Sequence, residues 1–447
     1  MKPRPLAGGA AMNALSQIVI AVTAALSTIV VARLFGPDGT GTYSVALTLF
    51  TMLFVLGTLG LESGITYLVS SRRWSPRSAL VQSQLAALVL GLGGMGIGVA
   101  VKLVVGSALE GLPLWLVLIV VGGLPPALSW FFASRVALAT DHYEAFAVPP
   151  AAQSALVMVG VAVLGGLYDV KAAIVGLTVS QVIVAAGTLI FVARRVAPRE
   201  QPARPRGPRR FAALADAARF GLKAYTTNAL QFANYRLDIL ILNAVASREK
   251  VGQYSVAVSV TIALWLLPRA LAGVVLPRVA ALSSERDEEY RSLVETKSVR
   301  HVSLIAAAGS VVLIAVLVGL VTVLYGPEFH PAIAMGLILL PGAALIGITG
   351  VLSATITGRG FPIYSVYTAL VVTPVTIVLY ALLVPTLEGI GAALASTVSY
   401  SATFLITAHY FRRATGHRVA PLLVPTRSEL ADYRTLWDAA VRRLRSS

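Results

Sequence analysis

Residues 41–46 read Gly41-Thr42-Tyr43-Ser44-Val45-Ala46, and residues 252–257 read Gly252-Gln253-Tyr254-Ser255-Val256-Ala257, five identities in six at an offset of 211. A second echo pairs Thr178-Val179-Ser180 with Thr397-Val398-Ser399 at an offset of 219. Two matches in the same order at nearly one spacing predict a duplicated unit. The runs that hold them are apolar and long. A hydrocarbon core about 30 Å thick takes roughly 20 helical residues to cross. Twelve spans meet that length: 10–34, 43–69, 79–104, 112–138, 145–167 and 172–193, then 220–245, 251–274, 302–324, 331–355, 363–384 and 390–409. Each half holds six. Six is even, so the repeats share one orientation, the parallel-repeat plan of transporters whose site lies between the halves near the midplane. The expected fold class is an all-α polytopic membrane protein of two parallel-repeat six-helix lobes.

Composition agrees. Of 447 residues, 57% are apolar and 13% charged, with a mean hydropathy of +0.80. A soluble domain carries about a quarter charged residues, so an ordinary soluble enzyme and a disordered chain are excluded. The chain has no cysteine, which removes disulfides, thiolate-zinc sites and cysteine nucleophiles. Lys and Arg number 36 against 20 Asp and Glu, a net charge of +16. That excess sits in alternate loops: Arg72, Arg73 and Arg77; seven arginines from Arg194 to Arg210; and Arg278 to Arg300, with Arg412, Arg413 and Arg418 past the last span. The positive-inside bias therefore predicts a cytoplasmic (inner) membrane protein with both termini cytoplasmic, and it removes the need for a nucleic-acid partner. The first span is read as an uncleaved helix.

Residues 197–210, with four prolines and five arginines, read as a cytoplasmic linker. The domains expected are thus a six-helix lobe at 1–196, the linker at 197–210, a second six-helix lobe at 211–412 and a cytoplasmic tail at 413–447. In the tail, Leu430, Tyr433, Trp437, Val441 and Leu444 recur at helical spacing. An interfacial amphipathic helix and a solvated tail both fit that pattern.

Polarity inside the spans points to a cavity. Lys223, Thr227, Gln231, Asn234 and Asp238 step by four, four, three and four, one stripe down the seventh span. Moving back 211 places Ser16 under Thr227, Thr23 under Asn234 and Ser27 under Asp238. A stripe of that polarity cannot face lipid. Interhelical hydrogen bonding is the plain reading, and a wet cavity between the halves accounts better for two charges.

The motifs then resemble a known family, the polysaccharide-transport branch of the multidrug/oligosaccharidyl-lipid/polysaccharide exporter superfamily, the O-antigen-type lipid-linked oligosaccharide flippases. The residues that carry the resemblance are Ala32-Arg33-Leu34-Phe35-Gly36-Pro37 before Gly41-Thr42-Tyr43-Ser44, Arg236-Leu237-Asp238 and Leu276-Pro277-Arg278. Tyr325-Gly326-Pro327-Glu328-Phe329, Thr357-Gly358-Arg359-Gly360 and Gly389-Ile390-Gly391-Ala392-Ala393-Leu394 complete the set. The resemblance implies lobes set in a V around a central cavity, alternating access, and a polyprenyl-(pyro)phosphate-linked glycan as substrate. It also implies membrane lipids as surroundings and a polysaccharide polymerase or glycosyltransferase machinery as partners.

Charges within spans are expensive and each needs a reason. Asp238 reads as an H+ or Na+ site or as a structural pair. Glu62 and Arg269 fall at similar depth on matching helices, which suggests a gate salt bridge between the lobes. Lys223, Arg269 and Arg135 are candidate pyrophosphate contacts, with interfacial snorkelling the alternative for Lys223 and Arg135. Thr227, Gln231 and Asn234 complete the expected cavity wall.

No Walker A sequence and no H-E-x-x-H occurs, and the five histidines are scattered. Gly91-Leu92-Gly93-Gly94-Met95-Gly96 fits the dinucleotide fingerprint, but it sits inside an apolar span, where close helix packing explains it. No cofactor, no metal and no enzymatic activity are expected. The competing function is an ion-coupled multidrug/cation antiporter of the same architecture, whose cavity should be more acidic and more aromatic.

Overall fold

A computed structural model of the chain describes residues 6–196, 212–234, 236–282 and 288–424, with backbone alone at 6–11, 223–224, 226–234 and 277. The linker and the tail beyond residue 424 lie outside the described residues, and with them the expected amphipathic helix. Every regular element among the described residues is helical. In chain order these are α1 (Leu6–Thr58), α2 (Leu61–Ser70), α3 (Pro76–Val104), α4 (Leu114–Gly122), α5 (Leu124–Leu138), α6 (Glu144–Gly160) and α7 (Val170–Arg195). There follow α8 (Ala212–Asn234), α9 (Leu237–Val245), α10 (Arg248–Ile262), α11 (Leu266–Ala281), α12 (Glu288–Tyr325), α13 (Pro331–Gly358) and α14 (Ile363–Thr415).

Nine helices among the described residues are long and apolar enough to cross a membrane. Two of them, α1 and α14, are folded at Gly36 (φ 62°) and Glu388 (φ 47°) and so supply two expected spans each. The missing one is the seventh, divided between α8 and α9. The Gly36 kink has a clear cause. Proline lacks an amide hydrogen and pushes the residue before it out of the helical region, and glycine alone reaches the positive φ without strain. The sequence Phe35-Gly36-Pro37 is therefore the corner between the first two spans.

Breaks also fall inside several of the expected spans. The second stops at Leu59 and Gly60, both at positive φ, before resuming as α2. The fourth is interrupted at Gly123, just ahead of Pro125-Pro126, and the seventh at Arg236, ahead of α9. Along α3, Val81, Leu85, Leu88, Val89 and Leu92 are exposed, the face a bilayer would cover.

The chain packs as two compact units, Met1–Ser255 with Leu324–Phe329, and Val256–Val323 with His330–Ser447. The first unit thus takes in α8, α9 and the start of α10. Its core gathers Leu61, Ile65, Leu68, Trp74, Phe132 and Val136. The second is centred on Val275, Val299, Val302, Val351, Leu352 and Phe411.

The duplication is visible in hydrogen bonds. Thr178 donates to the Ile119 carbonyl at 2.9 Å in one unit, and Thr397 donates to the Ile338 carbonyl at 2.7 Å in the other. Both pairs differ by 219 residues. The helix ends repeat as well. His142 N donates to Ala137 O and Asp141 N to Leu138 O, as Phe361 N does to Ile356 O and Gly360 N to Thr357 O.

Within the first unit the opening glycines of the two matching sextets meet. A Cβ on Gly41 would lie 2.0 Å from the Arg248 carbonyl oxygen, and one on Gly252 would lie 1.9 Å from the Pro37 carbonyl oxygen. Gly41 and Gly252, like Pro37 and Arg248, are 211 apart. Residue i touches j as j touches i, the signature of a two-fold contact. Only glycine allows backbones this close.

Candidate functional site

The expected polar stripe is interrupted. α8 ends at Asn234, and Arg236 leaves helical geometry at φ −130°, ψ −12°. Asp238 therefore does not continue the face of Lys223, Thr227, Gln231 and Asn234 on one straight helix, a correction to the sequence reading. The side chains of those four residues lie outside the described residues. Asp238 instead occupies the first turn of α9, where helix N–H groups lack partners. Its Oδ1 accepts from the Ile239 amide at 2.8 Å and its Oδ2 accepts from the Tyr254 hydroxyl at 2.7 Å. Asp238 and Tyr254 are both buried, and Arg236 lies within Coulombic reach.

Glu62 sits in the first turn of α2, immediately after the break at Leu59–Gly60, and not in the middle of an unbroken span. That break frees carbonyls at the end of α1. The Tyr225 hydroxyl from α8 takes two of them, donating to Val55 O at 2.8 Å and Leu56 O at 2.7 Å. A Cβ on Gly60 would lie 2.5 Å from Gly221 O and one on Gly64 would lie 2.2 Å from Ala217 O, so α2 and α8 touch along their backbones. Arg135 of α5 lies within Coulombic reach of Glu62. The Arg135 guanidinium lies between the rings of Phe131 (4.5 Å) and Phe146 (4.8 Å), an arrangement that attracts a cation to both ring faces. Glu62 Oε2 and Arg135 Nε are buried and have no hydrogen-bond partner among the described residues. Arg269 belongs to the second unit, where its guanidinium lies 5.3 Å from the Trp265 ring.

The first unit also holds a mostly apolar cavity of about 330 Å³, set with a few polar side chains, between helices α1, α5, α6 and α7. Sequence reasoning passed it by. Its wall includes Ser27, Tyr43, Trp130, Gln153, Ser154 and Gln181, and none of its lining residues is Asp, Glu, Lys or Arg. The Trp130 indole donates to Gln181 Oε1 at 2.8 Å. Ser154 and Thr23 share a hydrogen bond at 2.6 Å. The Tyr43 hydroxyl, the Gln153 amide and the Gln181 NH2 group make no hydrogen bond among the described residues, although Tyr43 and Gln181 are 5% and 3% exposed.

The second unit carries an ion cluster that the sequence reading also missed. Arg359 donates to both oxygens of Glu295, at 2.6 and 2.8 Å, to Glu288 at 2.8 Å and to the Ala414 carbonyl at 3.2 Å. Arg291 pairs with Glu288 as well. Glu295 is wholly buried. The cluster ties α12, the α13–α14 turn and the end of α14 together. Arg359 stood in a quoted motif, but its partners are 64 and 71 residues away and nothing local announces them.

Among comparisons with known proteins, the family model described as "Polysaccharide biosynthesis protein" matches residues 30–334. No curated protein matches in sequence. Solved structures match in fold. The lipid II flippase MurJ, in an inward closed conformation, aligns at TM-score 0.66 with 13% identity, covering 91% of each chain. A multidrug resistance MATE family transporter of the MOP superfamily aligns inward-facing at TM-score 0.71 with 15% identity, covering 89% of this chain and 94% of that one. An outward-facing MATE transporter aligns at 0.64 and 15% identity, covering 93% and 96%.

Proposed function

The chain belongs to the polysaccharide biosynthesis protein family, whose match spans residues 30–334, and from that membership we propose that it is a flippase. It carries a polyprenyl-(pyro)phosphate-linked oligosaccharide across the cytoplasmic membrane by alternating access, for assembly of a surface polysaccharide. The observation that supports alternating access is the duplication, seen in the matched Thr178 and Thr397 hydrogen bonds and the reciprocal Gly41–Gly252 crossing. Two copies of one bundle can present a single site to either side by rocking against each other.

In this reading Lys223, Arg135 and Arg269 contact the pyrophosphate, and Thr227, Gln231 and Asn234 share the face of Lys223. Asp238 is the group on which H+ or Na+ would act, and Glu62 and Arg269 are the gate candidates. A downstream glycosyltransferase or polymerase consumes the cargo. Cation antiport is the second reading. Against it stands the charge inventory: Glu62 lies within Coulombic reach of Arg135, Asp238 binds Tyr254, and no acid lines the cavity of the first unit.

The test is deletion of the gene followed by leaflet assignment of the lipid-linked intermediate. The expected result is intermediate trapped on the inner leaflet with surface glycan lost, restored by the intact chain. Normal surface glycan together with lost resistance to cationic drugs would establish the antiporter instead.

A further inference from the structure

The cavity of the first unit combines a mostly apolar wall with a few polar side chains, none of them Asp, Glu, Lys or Arg. A cation without its hydration shell needs carboxylates or a ring of carbonyls. A phosphate needs arginine, lysine or a helix N-terminus. The cavity wall offers no ionised side chain of either sign. It offers instead a phenol, a glutamine amide and a second glutamine NH2, all without partners among the described residues. Aromatic faces stand beside them, Trp130 with Tyr43, Phe50 and Phe54.

We propose that this cavity binds the neutral sugar ring of the transported glycan. The claim rests on the flippase reading and deepens it by naming an uncharged, hydroxyl-rich part of the cargo. A pyranose pairs vicinal hydroxyls, each both donor and acceptor, with an apolar ring face. Amides and phenols satisfy the hydroxyls, and an aromatic ring covers the apolar face. The volume of about 330 Å³ lies at the lower end of small-molecule sites, suited to one sugar rather than a whole oligosaccharide. The Trp130 bond to Gln181 Oε1 fixes the amide so that its NH2 group remains to donate. Gln181 is thus a specificity residue, and Trp130 positions it.

The chain lacks cysteine, which makes one engineered thiol an unambiguous reporter. The full-length Ser27→Cys variant, reconstituted in nanodiscs, is labelled with a small neutral thiosulfonate and followed by mass spectrometry. Probes are a panel of methyl hexosides and methyl N-acetylhexosaminides, with glycerol and inorganic pyrophosphate as comparators. At least one glycoside should slow labelling about fivefold, the effect of four-fifths occupancy, while glycerol and pyrophosphate leave it unchanged. An added Gln181→Leu change should abolish the protection, and a Ser107→Cys control on the exposed loop should show none. Absence of protection by every glycoside, or equal protection by glycerol or pyrophosphate, overturns the proposal and leaves a water-filled space.

Translocation of lipid-linked glycan in proteoliposomes separates this claim from the one beneath it. If the intact chain translocates and the Tyr43→Phe, Gln181→Leu double variant does so equally well, the sugar site is refuted and the flippase stands. If the intact chain moves no lipid-linked glycan, the flippase reading fails, whatever the labelling shows.

Discussion

Thr140 and Arg359 hold the same place in the two repeats, 219 residues apart, just before turns closed by matching backbone bonds. Around that shared backbone the chemistry diverges. Thr140 bonds its own turn and His142, whereas Arg359 binds two carboxylates from α12. The same contrast holds elsewhere. Ser27 bonds the Thr23 carbonyl, while its counterpart Asp238, 211 residues on, binds Tyr254. In the reverse direction, Glu62 and Arg135 correspond to Gly273 and Ala354. Backbone features, the crossing glycines and the threonine bonds to carbonyls are common to both repeats. None of these buried charges is. The repeats share what holds the helices in register and differ in their ionic chemistry.

The largest test of that contrast is at the turn. Arg359→Ala leaves Glu295, wholly buried, with no counter-charge from Arg359, a loss on the order of 3–5 kcal/mol. Thr140→Ala, its counterpart, should cost less than about 1 kcal/mol. Unfolding in detergent titrations measures both, and similar losses would break the contrast. Next is Asp238→Ala, which strips partners from the Tyr254 hydroxyl and the Ile239 amide and should cost about 2–4 kcal/mol. Ser27→Ala should remain under about 1 kcal/mol.

The crossing sharpens the comparison in the opposite sense, because here the repeats should respond alike. In Gly41→Ala and Gly252→Ala the new Cβ meets a carbonyl oxygen at 2.0 and 1.9 Å, of Arg248 and Pro37 respectively. Neither backbone can turn aside as a flexible side chain would, so each change should cost about 1–3 kcal/mol of overpacking. Equal losses support a two-fold contact. A large loss in one and none in the other refutes it.

How much of this could be read beforehand follows from the same division. Spans, repeat and corner were legible because hydrophobic length, a six-residue echo and Gly36-Pro37 are local signals. The break at Leu59–Gly60 was not, since one glycine in an apolar run rarely ends a helix, and it sets Glu62 in the first turn of a new helix. The cavity was hidden for another reason. Gln153 and Gln181 each look like packing polarity in an apolar helix, and a void depends on what distant side chains fail to fill. The Arg359 cluster joins residues 64 and 71 apart, beyond the reach of any periodicity.

The smallest effect is also the most discriminating, and it falls on the paired tyrosines. Tyr254 and Tyr43 occupy equivalent positions in the repeated sextet, yet of the two it is Tyr254 that binds a carboxylate. Tyr254→Phe removes a buried donor from Asp238, and hydrogen bonds to charged groups contribute about 1.5–3 kcal/mol. Tyr43→Phe removes a hydroxyl that no described protein group satisfies, so its effect on unfolding should be about zero. If the hydroxyl is held for cargo, that silent change, added to the Ser27→Cys reporter, should still weaken the protection of its thiol by a glycoside. A Tyr43→Phe variant that unfolds as easily as Tyr254→Phe would mean the first tyrosine has a structural partner after all, and the asymmetry between the repeats would lose its functional half.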